Sequence, residues 1–431
     1  MRKVFVFFIL LPVLMAAQSA LKTPSKSESK TMPKQTSKQV HASALVIDTH
    51  ADTTQRLLDE NFDMVAPPEG DIGHLDFAKA KAGNLAAEFF SIWVDPVKWK
   101  GQYAHRTIAL IDSVYQQAEK HPDKMVMAFS AADIEKAHKT KKFAALLGVE
   151  GGHSIENDMG LLRMYYKLGV RYMTLTWSNT NEWADSSGDI DDPKIEHHKG
   201  LTLFGREIVR EMNRLGMMVD ISHVSDRTFF DALRLSRAPV IASHSSARAL
   251  TDHPRNMTDD MLLQMKINGG VVMVNFYSGF VDSDFRKAQA AAEADKKKAQ
   301  DEFDTKYKEA DPVERAQLQV KLDYEWSRKI PRPPLKSLID HIDHIAKIAG
   351  VDHTGMGSDF DGVSYLTPEG MDSAADLPKI TEELMKRGYS AIDVKKILGG
   401  NLLRVFKEVE AMSHQIQREE PMPLLKRQTT K

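Results

Sequence analysis

Short apolar runs of strand length recur along the chain, and between them apolar residues return every three or four positions, the spacing of a helix with one buried face. The first run, Ala44-Leu45-Val46-Ile47, ends abruptly in Asp48-Thr49-His50-Ala51-Asp52-Thr53. Later runs lie at residues 84–94, 144–149, 171–176, 217–221, 239–242, 270–275 and 354–356. Helical periodicity fills 102–119, 160–168, 202–215, 225–235, 258–267 and 335–349, and closing helices extend to about residue 412. Eight apolar strands alternating with helices predict a parallel β/α architecture, and eight is the number that closes a barrel. An open doubly wound sheet is the alternative, but the Gly-rich phosphate turn it usually carries after strand one is not there. The expected fold is a single (β/α)8 TIM-like barrel.

One segment breaks the rhythm. Residues 280–330 are dominated by Ala, Lys, Glu, Asp and Gln, including Lys296-Lys297-Lys298, and predict an inserted helical hairpin turning near Asp311-Pro312. Charge-rich helices ordinarily face solvent, so the expectation is a solvated excursion; a lid or a subunit contact is the sharper alternative.

The 431-residue chain is 42% hydrophobic and 27% charged, enough to bury a large core. A formal net charge of -2 argues against nucleic acid as a partner and leaves a small molecule or peptide as the default ligand. Residues 1–20 read as a signal peptide: Arg2 and Lys3, an apolar segment at 4–15, then Ala16, Ala17 and Ser19. Residues 21–41, rich in Ser, Thr, Lys and Pro, read as a disordered linker, with the barrel at 42–412 and a polar tail at 413–431. The expected destination is export, periplasmic or secreted. With no cysteine there is no lipoprotein attachment site, disulfide or thiolate ligand, the tail lacks the apolar segment of a GPI signal, and any homodimer is expected to be non-covalent.

In a β/α barrel functional side chains gather where strands end. Those positions hold His50 and Asp52, Glu150, Trp177, His223, His244 and Asp359. A lone His-x-Asp is weak evidence, since Asp often starts a turn and His can simply be hydrogen-bonded there. Three imidazoles with acidic residues exceed what one tetrahedral cation needs, and they suit two divalent metals bridged by a carboxylate. Glu150, followed by Gly151 and Gly152, is the natural bridge. A bridged pair lowers the pKa of a shared water and polarises a carbonyl, so the site reads as hydrolytic.

The segments Val46-Ile47-Asp48-Thr49-His50-Ala51-Asp52, Gly148-Val149-Glu150-Gly151-Gly152-His153-Ser154, Val219-Asp220-Ile221-Ser222-His223-Val224-Ser225, Pro239-Val240-Ile241-Ala242-Ser243-His244-Ser245-Ser246, Arg255-Asn256 and Gly357-Ser358-Asp359-Phe360-Asp361-Gly362 resemble the membrane (renal) dipeptidase family, in order, from about Ala44 to Met412. The resemblance implies an amidohydrolase-type barrel with two Zn2+ ions that cleaves dipeptides, including those with a C-terminal D-residue, to free amino acids through a metal-bridging hydroxide. It implies that His50 and Asp52 bind one zinc and His223 and His244 the other, with Glu150 bridging. It further implies that Arg255 holds the substrate's free carboxylate and that Asp359 transfers the proton, with Glu150 and Asp359 as the catalytic carboxylates. These ligands also suit manganese or cobalt.

One departure stands out: the family commonly has His where this chain reads Leu175-Thr176-Trp177. Indole donates a hydrogen bond but neither accepts a proton nor carries charge. Either Asn179 or Asn181 supplies another donor or the substrate preference differs. Hydrolysis of another amide, such as an N-acyl amino acid or a lactam, and a non-catalytic binding barrel are the competing readings. Of the other histidines, His153 is expected to steady a ligand by hydrogen bond, His341 and His344 to lie on the outer helices, and His197 and His198 to line the mouth.

Overall fold

The computed structural model describes Met1 and residues 35–419. The expected signal peptide beyond Met1, most of the expected linker and the end of the tail lie outside the described residues. Among the described residues nine strands form one sheet: β1 (Val46–Ala51), β2 (Leu85–Trp93), β3 (Met125–Met127), β4 (Phe143–Glu150), β5 (Val170–Thr174), β6 (Met218–Asp220), β7 (Ile241–Ala242), β8 (Val271–Val274) and β9 (Thr354–Met356). Their order is β1-β2-β4-β5-β6-β7-β8-β9, parallel throughout, with β3 added outside the path on β4. The eight strands on the path are those expected, and they make a nearly closed barrel. The three-residue β3 carries too short an apolar run to stand out in the sequence.

Between β1 and β9 side chains and single bonds replace a ladder. Thr49 donates to Met356 O at 3.1 Å, the Ser358 amide donates to Asp48 Oδ1 at 2.7 Å, and the Asp359 amide donates to His50 O at 2.9 Å. The seam therefore fixes the loop carrying Asp359 directly to the strand carrying His50.

Alternation along the strands separates two cores. Ile47, Ala87, Phe89, Leu146, Tyr172, Met218 and Met273 pack together with Leu402 and Phe406 of the last helix, Asn401–Glu419. Phe89 lies 5.4 Å from the Tyr172 ring and 6.4 Å from Phe406, so aromatic side chains fill this interior. Gly148 makes room for Tyr172: a Cβ there would lie 1.9 Å from Tyr172 Cζ. The opposite set, including Phe90, Leu147, Val149, Met173 and Val219, packs against the surrounding helices. Ser130, Thr202, Ser225 and Thr258 each cap the following helix through a side-chain oxygen, satisfying amides that the first turn leaves free.

At the amino end the chain is already helical at Ser37–Ala42, with Val40 and His41 buried, where the composition reads as linker. The last helix continues to Glu419, beyond the expected end.

His341 lies on the outer helix Leu335–Ile348, and its buried Nδ1 accepts from the Ala247 amide at 3.0 Å. His344 on the same helix pairs instead with Asp259 at 2.6 Å. Burial pushes His341 down to about 4. The folded state thus favours the neutral ring, and the stabilisation present above the ordinary value near 6.5 is lost as pH falls from 6.5 to about 4. The loss is on the order of 3 kcal/mol. His341→Asn keeps an acceptor that cannot be protonated. Urea denaturation of both proteins across this window is expected to show a shallower acid loss for the variant; identical slopes would contradict the assignment.

Candidate metal centre

β1, β4 and the turns after β6 and β7 deliver four side chains to one point. Glu150 Oε1 lies 2.8 Å from His223 Nε2 and 3.4 Å from His244 Nε2, and Oε2 lies 3.5 Å from His50 Nε2. His50 Nε2 is also 3.7 Å from Asp52 Oδ2. Ligand atoms of His50, Glu150 and His244 fall within 4.8 Å of one another, as do those of His50, Asp52 and Asp359. The structure thus brings together His50, Asp52, Glu150, His223, His244 and Asp359.

The outer faces of the three imidazoles are occupied. Tyr172 donates its hydroxyl proton to Thr49 O at 3.0 Å, so its oxygen is left to accept from His50 Nδ1–H at 2.9 Å. Ser243 Oγ lies 2.8 Å from His244 Nδ1, and Ser178 Oγ lies 3.3 Å from His223 Nδ1. Each ring therefore turns Nε2 inward, and His50 is fixed in the tautomer whose Nε2 carries a lone pair. His50 Nε2 and Asp52 Oδ1 are buried with no hydrogen-bond partner among the described residues. The inward Nε2 atoms and the carboxylates form a donor set that fits divalent cations.

The charges agree with that fit. Burial pushes the Glu150 carboxyl up, but the three imidazoles around it outweigh burial and hold it well below the usual range. Burial, with the Arg255 charge, lowers His223 to about 4, and His244 lies well below its ordinary value. Neutral His223 and His244 beside an ionised carboxylate are the protonation states metal ligation requires. Burial lowers His50 too, but Tyr172, Glu150 and Asp52 outweigh it and raise this ring well above its ordinary value, the mark of a site that draws positive charge. Burial pushes Asp359 up to about 7; His50 opposes the rise, and the Asp52 and Glu150 charges add to it. Asn275 steadies it, donating to Oδ2 at 2.9 Å.

Two of the converging groups sit on strained backbone. His223 and Asp359 sit at φ 66° and 62°, in the left-handed region that side chains other than Gly seldom enter. At Gly362 a Cβ would lie 2.1 Å from Asp52 Oδ2 and 2.5 Å from Asp359 Oδ1, so only glycine leaves both carboxylates their place.

The group opens into a cleft of about 620 Å³ lined by Trp93, Trp177, Arg255, Tyr277 and Phe280 as well as by Asp52, Glu150, His223 and Asp359. The buried Arg255 guanidinium donates to Ser245 Oγ at 3.3 Å and His244 O at 3.1 Å, leaving Nε unpartnered and no carboxylate within 4 Å among the described residues. The half-buried Trp177 ring packs 5.0 Å from Trp93 and 6.2 Å from His223. Asn181 cannot replace the missing imidazole, because it is buried and donates to Leu175 O while accepting from the Trp183 and Ala184 amides. Neither Asn179 nor Asn181 lines the cleft, and neither does His197 or His198.

Two further expectations need correction. His153 does not reach Glu150: its Nε2 bonds Val94 O at 2.8 Å, tying the turn after β4 to the end of β2. The charge-rich insertion is more than a solvated excursion. Of its two helices, Ser283–Lys306 and Pro312–Ser327, the first places Arg286, Gln289 and Lys296 in the cleft wall, and Tyr277 donates to Gln289 Oε1 at 2.6 Å. Tyr172, Asn275, Ser178 and Ser243, all overlooked in the sequence, hold the converging groups. For Tyr172 the period-two alternation of β5 was an available signal, since it turns that ring into the barrel.

A parallel β/α barrel with imidazoles and carboxylates meeting at its carboxyl-end rim defines a metal-dependent hydrolase of the barrel class. The comparisons identify the branch. Residues 34–420 match the model of the membrane dipeptidase family, peptidase family M19. The dipeptidase aclJ of Aspergillus oryzae is 35% identical over 352 residues, which is 80% of this chain and 72% of that protein. Among solved structures, the probable dipeptidase PvdM of Pseudomonas aeruginosa superposes with a TM-score of 0.72 at 25% identity, covering 87% of this chain and 98% of its own. A metallo peptidase from Rhodobacter sphaeroides, solved with a phosphinate mimic of the dipeptide L-Ala-D-Ala, shares the fold with a TM-score of 0.67 at 24% identity, covering 85% and 99%. This chain belongs to the membrane dipeptidase family, and it is a metallopeptidase that acts as a dipeptidase.

Proposed function

We propose that the protein is a binuclear, zinc-dependent dipeptidase whose substrates include L-Xaa-D-Xaa dipeptides. The observation that carries this reading is the inward convergence of three imidazole Nε2 atoms on the two oxygens of Glu150, with Asp52 alongside. His50, Asp52 and Glu150 would hold one cation and Glu150, His223 and His244 the other. When bound, such a pair supplies a water acidified toward neutrality and a Lewis acid for the scissile carbonyl.

The chain's own groups do the rest. Arg255 is a buried cation without a carboxylate partner among the described residues, so it offers a two-pronged fork to the substrate's terminal carboxylate. Asp359, whose burial raises its carboxyl above the ordinary range, takes a proton from the attacking water and delivers it to the departing amine nitrogen. Trp93 and Trp177 wall the cleft with apolar surface, which narrows it around a short peptide and keeps bulk water off the reacting atoms. The dipeptide mimic bound by the Rhodobacter sphaeroides relative supports this substrate class.

Product analysis on L-Ala-D-Ala, L-Ala-L-Ala and N-acetylalanine tests the reading. Free alanine is expected from the dipeptides, with the D-terminal one accepted, and none from the N-acyl compound; preference for the latter would contradict it. Trp177→His is expected to change the relative rates across a dipeptide panel by several-fold, because it exchanges an apolar wall for a group that accepts and carries protons. Unchanged relative rates would show that the indole does not set preference.

A further inference from the structure

The carboxylate-binding end of the cleft carries more donors than one carboxylate needs. Phe285, buried with Ile330 and Leu366, pins the start of the helix Ser283–Lys306 against the barrel, and the side chain of Asp282 caps it. The next residue, Arg286, thereby enters the cleft wall beside His253, Pro254 and Arg255. Its guanidinium donates to the backbone oxygen of Asp252, and among the described residues it has no carboxylate within 4 Å.

His253 belongs to the same group. Its Nδ1 accepts from the Arg255 amide at 3.0 Å, which leaves the proton on Nε2, and its ring packs 4.7 Å from Phe280. Arg255 lies over that same Phe280 ring, 5.3 Å from its centroid. Burial, together with the charges of Arg286, Arg255 and Arg248, lowers His253 to about 4, so the ring is a neutral donor at neutral pH. Arg248 is already paired to Asp226 at 2.7 Å. The carboxylates lining the cleft are committed elsewhere: Asp52, Glu150 and Asp359 to the candidate metal centre, and Asp361 to His74 and Thr53. Farther along the same helix Lys296 bears on Asp323. Arg286 is therefore the second guanidinium at this end without an acidic partner.

Resting on the dipeptidase reading, we propose that Arg286 is a specificity-determining residue, binding a second carboxylate so that dipeptides with an acidic C-terminal residue are preferred. Arg255 takes the main-chain carboxylate, and Arg286, with His253 Nε2–H beside it, takes the side-chain one. Arg286 is exposed, so the gain is that of a solvent-accessible ion pair, about three- to fivefold.

The test compares kcat/KM for Ala-Glu and Ala-Gln, in both configurations of the second residue, on the full-length metal-loaded enzyme. Glutamine has glutamate's shape without its charge. A Glu/Gln ratio of about three to five at low salt is expected, shrinking as NaCl screens the pair. Arg286→Gln is expected to bring the ratio near one through KM for Ala-Glu, and Arg286→Glu to bring it below one. A ratio of one or less in the unaltered enzyme, or one unmoved by Arg286→Gln, would overturn the proposal while leaving the dipeptidase reading standing. Turnover of neither peptide would overturn both.

Discussion

Glu150→Gln is expected to lower dipeptide turnover at least a thousandfold and to release metal from the protein. The substitution keeps the shape of the side chain and removes its charge, so the effect isolates the carboxylate. Among the described residues Glu150 is the only group whose two oxygens face all three inward imidazoles, at 2.8 and 3.4 Å through one oxygen and 3.5 Å through the other. Ser91 steadies the second oxygen from 3.2 Å. A glutamine there is a much poorer cation ligand and turns an NH2 toward two ring nitrogens that already lie 3.0 Å apart. Metal analysis after dialysis and steady-state kinetics on the same sample check both parts. Full activity at full metal content would remove Glu150 from the centre of the account.

Asp359→Asn is expected to act differently, reducing kcat by roughly a hundred- to ten-thousandfold with little change in KM, the range for losing a positioned general acid–base group. Its backbone at φ 62°, the bond from Asn275 and its burial hold one carboxyl at the rim, with a raised affinity for protons. Asparagine tolerates that backbone conformation and fills the same space, so the fold is expected to survive. Asp359 must be ionised to accept a proton, and activity therefore falls as pH drops through its value. Bound cations pull that value below 7, so the acid limb of the pH profile is expected below pH 7 in the unaltered enzyme and is expected to disappear in the variant. A limb unmoved by the substitution would assign the proton transfer to another group.

The barrel was legible in the sequence because its signal is local. Each strand on the sheet path is an apolar run bounded by polar residues, and strand ends are where a barrel displays side chains, so His50, Glu150, His223 and His244 could be read off as a group before any geometry was known. Side-chain direction was much less legible. His153 follows Glu150 closely in sequence, yet its ring turns to Val94 O because the chain reverses at Gly151, where φ is 103°.

The insertion was misjudged for a related reason. Its helices are charge-rich, and buried apolar contacts come from a few widely separated residues, Phe285, Phe303 and Trp326. That is too sparse to register as a buried face, but it is enough to fix a helix across the cleft when Leu366 and Ile330 wait on the other side. The supporting hydroxyls were hidden because their partners are distant in sequence. Tyr172 and His50 are separated by 122 positions, and only closure of the barrel brings them to 2.9 Å.

The most direct measurement is anomalous diffraction from crystals of the metal-loaded protein, collected on both sides of the metal absorption edge. The account predicts two peaks, one on each side of the Glu150 carboxylate: one within about 2.0–2.2 Å of His50 and Asp52 donor atoms, the other at the same range from His223 and His244. A single peak, or peaks bound away from Glu150, would contradict it.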